Sequence, residues 1–159
     1  MKLISRFVLL ICLAFTASAY ALEPAEAVKP GKKDKCPVCG MFVAKYPHWV
    51  GEIIYDDGTV YFFDGAKDLF KFYFSPSKFK SDKRQQNIQS IYVTEYYYSK
   101  LFDAKTAYYV IGSDVYGPMG RELIPFASEP DAQEFAQDHQ GKQIVQFKDV
   151  TPELIATLD

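Results

Sequence analysis

Imidazole and thiol side chains are scarce in this 159-residue sequence, which holds two histidines, His48 and His139, and three cysteines, Cys12, Cys36 and Cys39. Three thiols are too few for a disulfide-stapled scaffold. A zinc knuckle is disfavoured too, because neither a second C-x-x-C nor an H-x₃₋₅-H pair accompanies Cys36 and Cys39. Long apolar runs are also missing: Phe7 to Phe15 is too short to cross a bilayer, and no later segment approaches the roughly 20 apolar residues that a membrane helix needs. The surplus charge is acidic, 20 carboxylates against 18 cations, so a nucleic-acid role is not expected. The glycine-rich stretch Gly112 to Gly120 lacks the P-loop lysine and leads into a strand rather than a helix, which disposes of a phosphate cradle.

What is present begins with a leader. Lys2 and Arg6 precede the apolar run, and small residues end in Ala19-Tyr20-Ala21, the A-x-A form of a signal-peptidase site, so residues 1–21 read as a cleaved secretory signal. Cys12 follows Leu9-Leu10-Ile11, which lacks the small residue that a lipoprotein site places just before its cysteine; plain export is expected rather than a lipid anchor. Without the leader the chain carries 16 basic and 20 acidic residues, about −4. Residues 22–34, polar and rich in lysine and proline, read as a flexible tether.

Both remaining cysteines sit in Cys36-Pro37-Val38-Cys39-Gly40-Met41, the densest cluster of soft donors in the chain. Thiolate and thioether sulfurs favour Cu(I), and the methionine is the informative residue because zinc sites seldom use one. Two other readings stand beside it: a disulfide between Cys36 and Cys39, and a thioredoxin-type pair, although Gly40 interrupts the helix that such a pair would open. His48 is the nearest imidazole that could complete a metal site.

Periodicity predicts an α+β fold of two consecutive ββαβ modules forming small mixed or antiparallel sheets, with a helix each, over residues 35–98 and 99–159. In the first, Trp49 to Tyr55 and Thr59 to Phe63 flank Asp56-Asp57-Gly58, a hairpin signal. A helix follows, with Asp64 as its N-cap and Ser75-Pro76 as its stop, and then a strand over Ile91 to Thr94. In the second, strands are expected at Ala107 to Ile111, Glu122 to Phe126 and Ile144 to Phe147, with a helix from Asp131 to Asp138. A short helix capped by Thr151 and opened by Pro152 closes the chain. The aromatics mostly suit a core, but Tyr96, Tyr97 and Tyr98 cannot all point into one, which leaves a partner surface open. Met119 reads either as a gap-filler or as a ligand.

The motif CPVCGM, the helix start Phe63-Asp64-Gly65, Tyr92 to Tyr97, Ala107 to Gly112 and above all Gly117-Pro118-Met119-Gly120-Arg121-Glu122-Leu123-Ile124-Pro125-Phe126 together resemble the NosL family, over nearly the whole mature chain. That resemblance implies a copper accessory protein for nitrous oxide reductase, exported to the periplasm and binding Cu(I) for assembly of the enzyme's copper-sulfide site. It also implies a fold of two ββαβ modules. Cys39 and Met41 match the family's Cys-Gly-Met, and Met119 matches the methionine of its Gly-Pro-Met-Gly loop. Cys36 is the extra thiol of the C-x-x-C and a further candidate ligand. The expected partners are the reductase, its membrane copper-site assembly complex, or both. A non-enzymatic metallochaperone is thus the first expectation. A thiol-disulfide oxidoreductase acting on the cysteines of a copper enzyme is the alternative, and a tyrosine-docked accessory module that touches no metal is a third.

Overall fold

The computed structural model describes residues 24–159; the leader, including Cys12, lies outside the described residues. The α+β architecture and both ββαβ halves are found. The first sheet, ordered β2-β1-β3-β4, comprises β1 (Gly51–Tyr55), β2 (Val60–Phe63), β3 (Ile88–Thr94) and β4 (Leu101–Asp103), all antiparallel. The second, β6-β5-β7, comprises β5 (Tyr108–Ile111), β6 (Leu123–Phe126) and β7 (Gln143–Gln146). Helices α1 (Ala66–Phe74) and α2 (Glu129–Asp138) follow β2 and β6, and α3 (Pro152–Ala156) ends the chain.

Local chemistry accounts for the element boundaries. Between β1 and β2, Asp57 takes the Thr59 N–H at 3.0 Å and the Gly58 N–H reaches the Tyr55 carbonyl at 2.9 Å, closing the predicted hairpin. Helix α2 is capped by the Ser128 hydroxyl, which accepts from Asp131 N–H, with Pro130 in the first turn; it starts two residues before the sequence-based expectation. Thr151 caps α3 as expected, accepting from Leu154 N–H at 3.2 Å.

Three features depart from the sequence reading. Strand β4 pairs with β3 through Thr94↔Leu101, so the line drawn at residues 98/99 cuts a hairpin of the first sheet; three residues are too short for a periodicity signal. Residues 24–34, read as a flexible tether, are tied to the sheet. Ala25 N–H donates to Ser90 Oγ at 2.9 Å, the Tyr92 hydroxyl donates to the Ala25 carbonyl at 2.6 Å, and Val28 N–H donates to the Glu52 carboxylate at 2.9 and 3.1 Å. This explains why all five β1 residues are buried although their pattern includes a glutamate. Finally, the N-cap of α1 is Gly65, not Asp64.

Strand β5 divides the interior by alternation. Tyr109 and Ile111 face a core that also takes Phe63, Leu69, Phe70, Phe72, Leu123 and Val145, so one hydrophobic cluster spans both sheets. Val110 faces the other way, with Ile124 and Phe126, onto Ala132 and Phe135 of α2. Phe70 is the pivot, its ring centroid 5.4 Å from Tyr109 and 5.0 Å from Phe147 of the second half. Truncating it to alanine would cost about 3–5 kcal/mol. Tyr96 and Tyr97 lie against Phe126 and Phe135, but Tyr97 is 43 % exposed and Tyr98 67 %, so Tyr96 packs, Tyr97 packs at the surface, and Tyr98 is a surface residue.

The halves also meet through a buried carboxylate. Glu122 Oε1 accepts the backbone N–H groups of Lys67, at 2.5 Å, and Leu123, at 3.0 Å, so it caps α1 from the other module. Residue 65 must be glycine for this: a Cβ there would lie 2.1 Å from Glu122 Oε2. Burial pushes the Glu122 carboxyl up to about 8, from 4.5. Because the folded form holds its proton where the unfolded chain has released it, this stabilisation is full below about pH 4.5 and is lost as pH rises through about 8. In Glu122→Gln, whose amide oxygen can still accept both N–H groups, the fall in Tm between pH 6 and pH 9 should shrink by about 5 °C in thermal melts.

Candidate metal centre

The motif forms a closed loop. Cys36 N–H donates to the Met41 carbonyl at 2.9 Å and Gly40 N–H to the Cys36 carbonyl at 2.9 Å, while Lys35 and Phe42 pair as an isolated antiparallel bridge at its mouth. Gly40 turns the chain at φ +81°, a left-handed conformation that side chains resist. Cys36 is buried at 1 % exposure, and Cys39 and Met41 are half-buried, so the loop opens on the Cys39 side. Both thiols are free.

Two aspartates complete the pocket. Asp64 lies just past β2 and Asp68 one helical turn later in α1, both buried, so the i, i+4 spacing aims two carboxylates at the loop. Cys39 Sγ donates to Asp64 Oδ1 at 3.2 Å and Cys36 Sγ to Asp68 Oδ2 at 3.3 Å. One donor atom from each of the four residues lies within 4.8 Å of the others, and Asp64 Oδ2 is buried without a hydrogen-bond partner. An unpartnered buried oxygen is costly unless something else occupies its lone pairs, which marks the cluster as a candidate ion site.

The electrostatics keep the thiols protonated. Burial, the largest effect, pushes the Cys39 thiol up to about 12, and its hydrogen bond to Asp64 adds to the rise. Cys36 is pushed up further, again first by burial and then by the Asp68 charge. Asp68 is itself raised by burial, partly offset by the thiols that donate to it.

Of the residues singled out from the sequence, Cys36 and Cys39 are brought together and Met41 closes their loop. Met119 sits 43 % exposed at the tip of a tight turn in which Gly117 and Gly120 exchange hydrogen bonds of 2.8 and 3.1 Å. That turn is fastened to the start of α1: the buried ammonium of Lys67 donates to the Met119 carbonyl at 2.9 Å and to the Leu158 carbonyl at 3.1 Å. Glu122 also packs on Gly117. The loop of the second half and the aspartates of the first therefore share one helical turn. His48 is elsewhere, its Nδ1 2.8 Å from Ser99 Oγ, and belongs to no cluster with the thiols among the described residues. Asp64 and Asp68 were missed by sequence reading. Asp64 enters the sequence reading only as an N-cap, and Asp68 carries no signal there at all.

Asp64→Asn removes the charge beside Cys39 and replaces an acceptor by an amide able to donate to a thiolate. Cys39 should then be alkylated faster by iodoacetamide at pH 8, by up to about tenfold, with Cys36 unreactive in both proteins; equal rates would show that Asp64 does not govern the thiol.

Comparison with known proteins places these features in a family. The NosL family model matches residues 27–155, which include both the cysteine loop and the Met119 turn. The copper-binding lipoprotein NosL of Stutzerimonas stutzeri is 28 % identical over 157 residues, covering 92 % of this chain and 78 % of that protein. The crystal structure of the copper chaperone NosL from Shewanella denitrificans matches with a TM-score of 0.71 at 25 % identity, covering 82 % of this chain and 99 % of that one. The chain therefore belongs to the NosL family.

Proposed function

We propose that this protein is an exported metallochaperone without turnover, which holds Cu(I) at Cys36, Cys39, Met41 and Met119 and hands it over for assembly of the copper-sulfide site of nitrous oxide reductase. The observation that carries the proposal is the meeting of the thiol loop and the methionine turn on the first turn of α1, in a chain whose relatives are named for copper. Soft sulfur donors match Cu(I), and a low coordination number suits release by ligand exchange. The recipient is the reductase, its membrane copper-site assembly complex, or both, met in the periplasm after removal of residues 1–21.

The aspartates have a separate task. Hard carboxylate oxygens are poor partners for Cu(I), but each thiol already points its proton at one of them. A proton displaced by the metal therefore has an acceptor in contact, through which it passes on to solvent. Thiol-disulfide exchange is the weaker reading, because an attacking thiol needs an accessible, low-pKa sulfur, whereas burial raises both thiols here and hides Cys36.

Anaerobic titration should show one Cu(I) bound by the reduced protein and none by a form oxidised to a Cys36–Cys39 disulfide; equal uptake by the two would overturn a thiolate site. Since both thiols are protonated at neutral pH, each one that ligates releases a proton. Apparent affinity should accordingly rise about tenfold per pH unit per thiolate between pH 6 and pH 8. Met41→Leu and Met119→Leu, which keep volume but lose the thioether, should melt close to wild type as apo proteins. With copper, their gain in Tm should be smaller and X-ray absorption should count one fewer sulfur neighbour. An unchanged sulfur count in either variant removes that methionine from the site.

A further inference from the structure

The charge around the metal loop runs against that of the chain. Residues 27–47 contain Lys29, Lys32, Lys33, Lys35 and Lys45 against a single acid, Asp34, a net of +4 within a chain of net −2, so the remainder is net −6. All five lysines are exposed, and none forms an ion pair among the described residues. The Asp34 carboxylate is occupied by Gly31 N–H at 2.7 Å. Lys35 and Lys45 flank the exposed ring of Phe42, with ammonium groups 4.8 and 5.6 Å from its centroid. Lys35 directly precedes Cys36 and Phe42 directly follows Met41, and their bridge closes the base of the loop, so this basic rim adjoins both ends of the cysteine loop.

Such a rim is the wrong sign for collecting free copper ions, since a positive potential repels a cation. It is the right sign for meeting an acidic surface. We infer that Lys32, Lys33, Lys35, Lys45 and Phe42 form the docking surface through which an acidic protein partner receives the metal. Complementary charge would steer the encounter and bring the recipient's site up beside the cysteine loop. A protein fits better than an anionic lipid surface. Phe42 already carries two lysine ammonium groups over its ring, whereas insertion into a bilayer calls for a free apolar side chain. The inference rests on the metallochaperone reading and adds to it the class of partner and its place of contact.

The test follows Cu(I) transfer by stopped flow from the loaded full chain to purified apo nitrous oxide reductase and, separately, to the detergent-solubilised assembly complex, at 20 and 200 mM NaCl. The wild-type transfer rate to at least one of them should fall about tenfold or more with salt. Lys32→Gln/Lys33→Gln/Lys45→Gln should be slow at low salt and nearly insensitive to salt, with Cu(I) stoichiometry and apo Tm unchanged. Lys100→Gln/Lys105→Gln/Lys148→Gln, which removes the same charge from exposed positions outside the rim, should transfer like wild type. Transfer that is independent of salt and unaffected by the first triple variant overturns the docking surface while leaving the chaperone intact. Lysine-dependent binding to phosphatidylglycerol vesicles, with transfer rates unchanged, would make the membrane the occupant and overturn the protein partner. A reduced chain that binds no Cu(I), or delivers it to neither protein, overturns the metallochaperone reading and this inference with it.

Discussion

The carboxyl of Glu122 is the constraint on which the rest depends. A helix of nine residues beginning at a glycine has little to hold its first turn, because the N–H groups there lack intrahelical partners and Gly65 supplies no side chain. Glu122 fills that role from the neighbouring module, and the geometry demands a glycine both at 65 and, more loosely, at 117. Lys67 adds the reverse connection from the same turn, reaching the Met119 and Leu158 carbonyls. The position of Met119 relative to the thiols is thus inherited from a buried acid–amide contact rather than from the loop's own sequence.

Burial governs the chemistry of the centre more than any single neighbour. Desolvation is the largest influence on both thiols, on Asp68 and on Glu122, always toward the neutral form. Such a pocket is quiet in the absence of metal: its sulfurs are poor nucleophiles, and their protons are shared with carboxylates. Low thiolate content also slows exchange, so the pocket in this state resists closing a disulfide.

Much of this was legible in the sequence because the signals were local. The Asp57-Gly58 turn, the Thr151-Pro152 cap and the strand run of β5 depend on residues within a few positions of one another. CPVCGM announced a loop dense in sulfur donors by composition alone. What stayed hidden depends on contacts across the chain. Asp64 looked like an N-cap because an acid before a helix usually is one, and only the fold shows that it lies against Cys39, 25 residues earlier. Glu122 looked like an ordinary strand residue, and nothing near Glu52 in sequence reveals that it receives Val28. Long-range pairing of this kind leaves no periodicity to read.

The segment held by Glu52 has a mechanical meaning. From Ala25 to Val28 the backbone is fixed to Ser90, Tyr92 and Glu52, and only then does the chain run on through Asp34 into the cysteine loop. A pull on the chain upstream of Ala25 is therefore borne by the sheet before it reaches Cys36, much as a clamp on a cable keeps tension off the connector. Tension arriving from upstream leaves the sulfur geometry undisturbed.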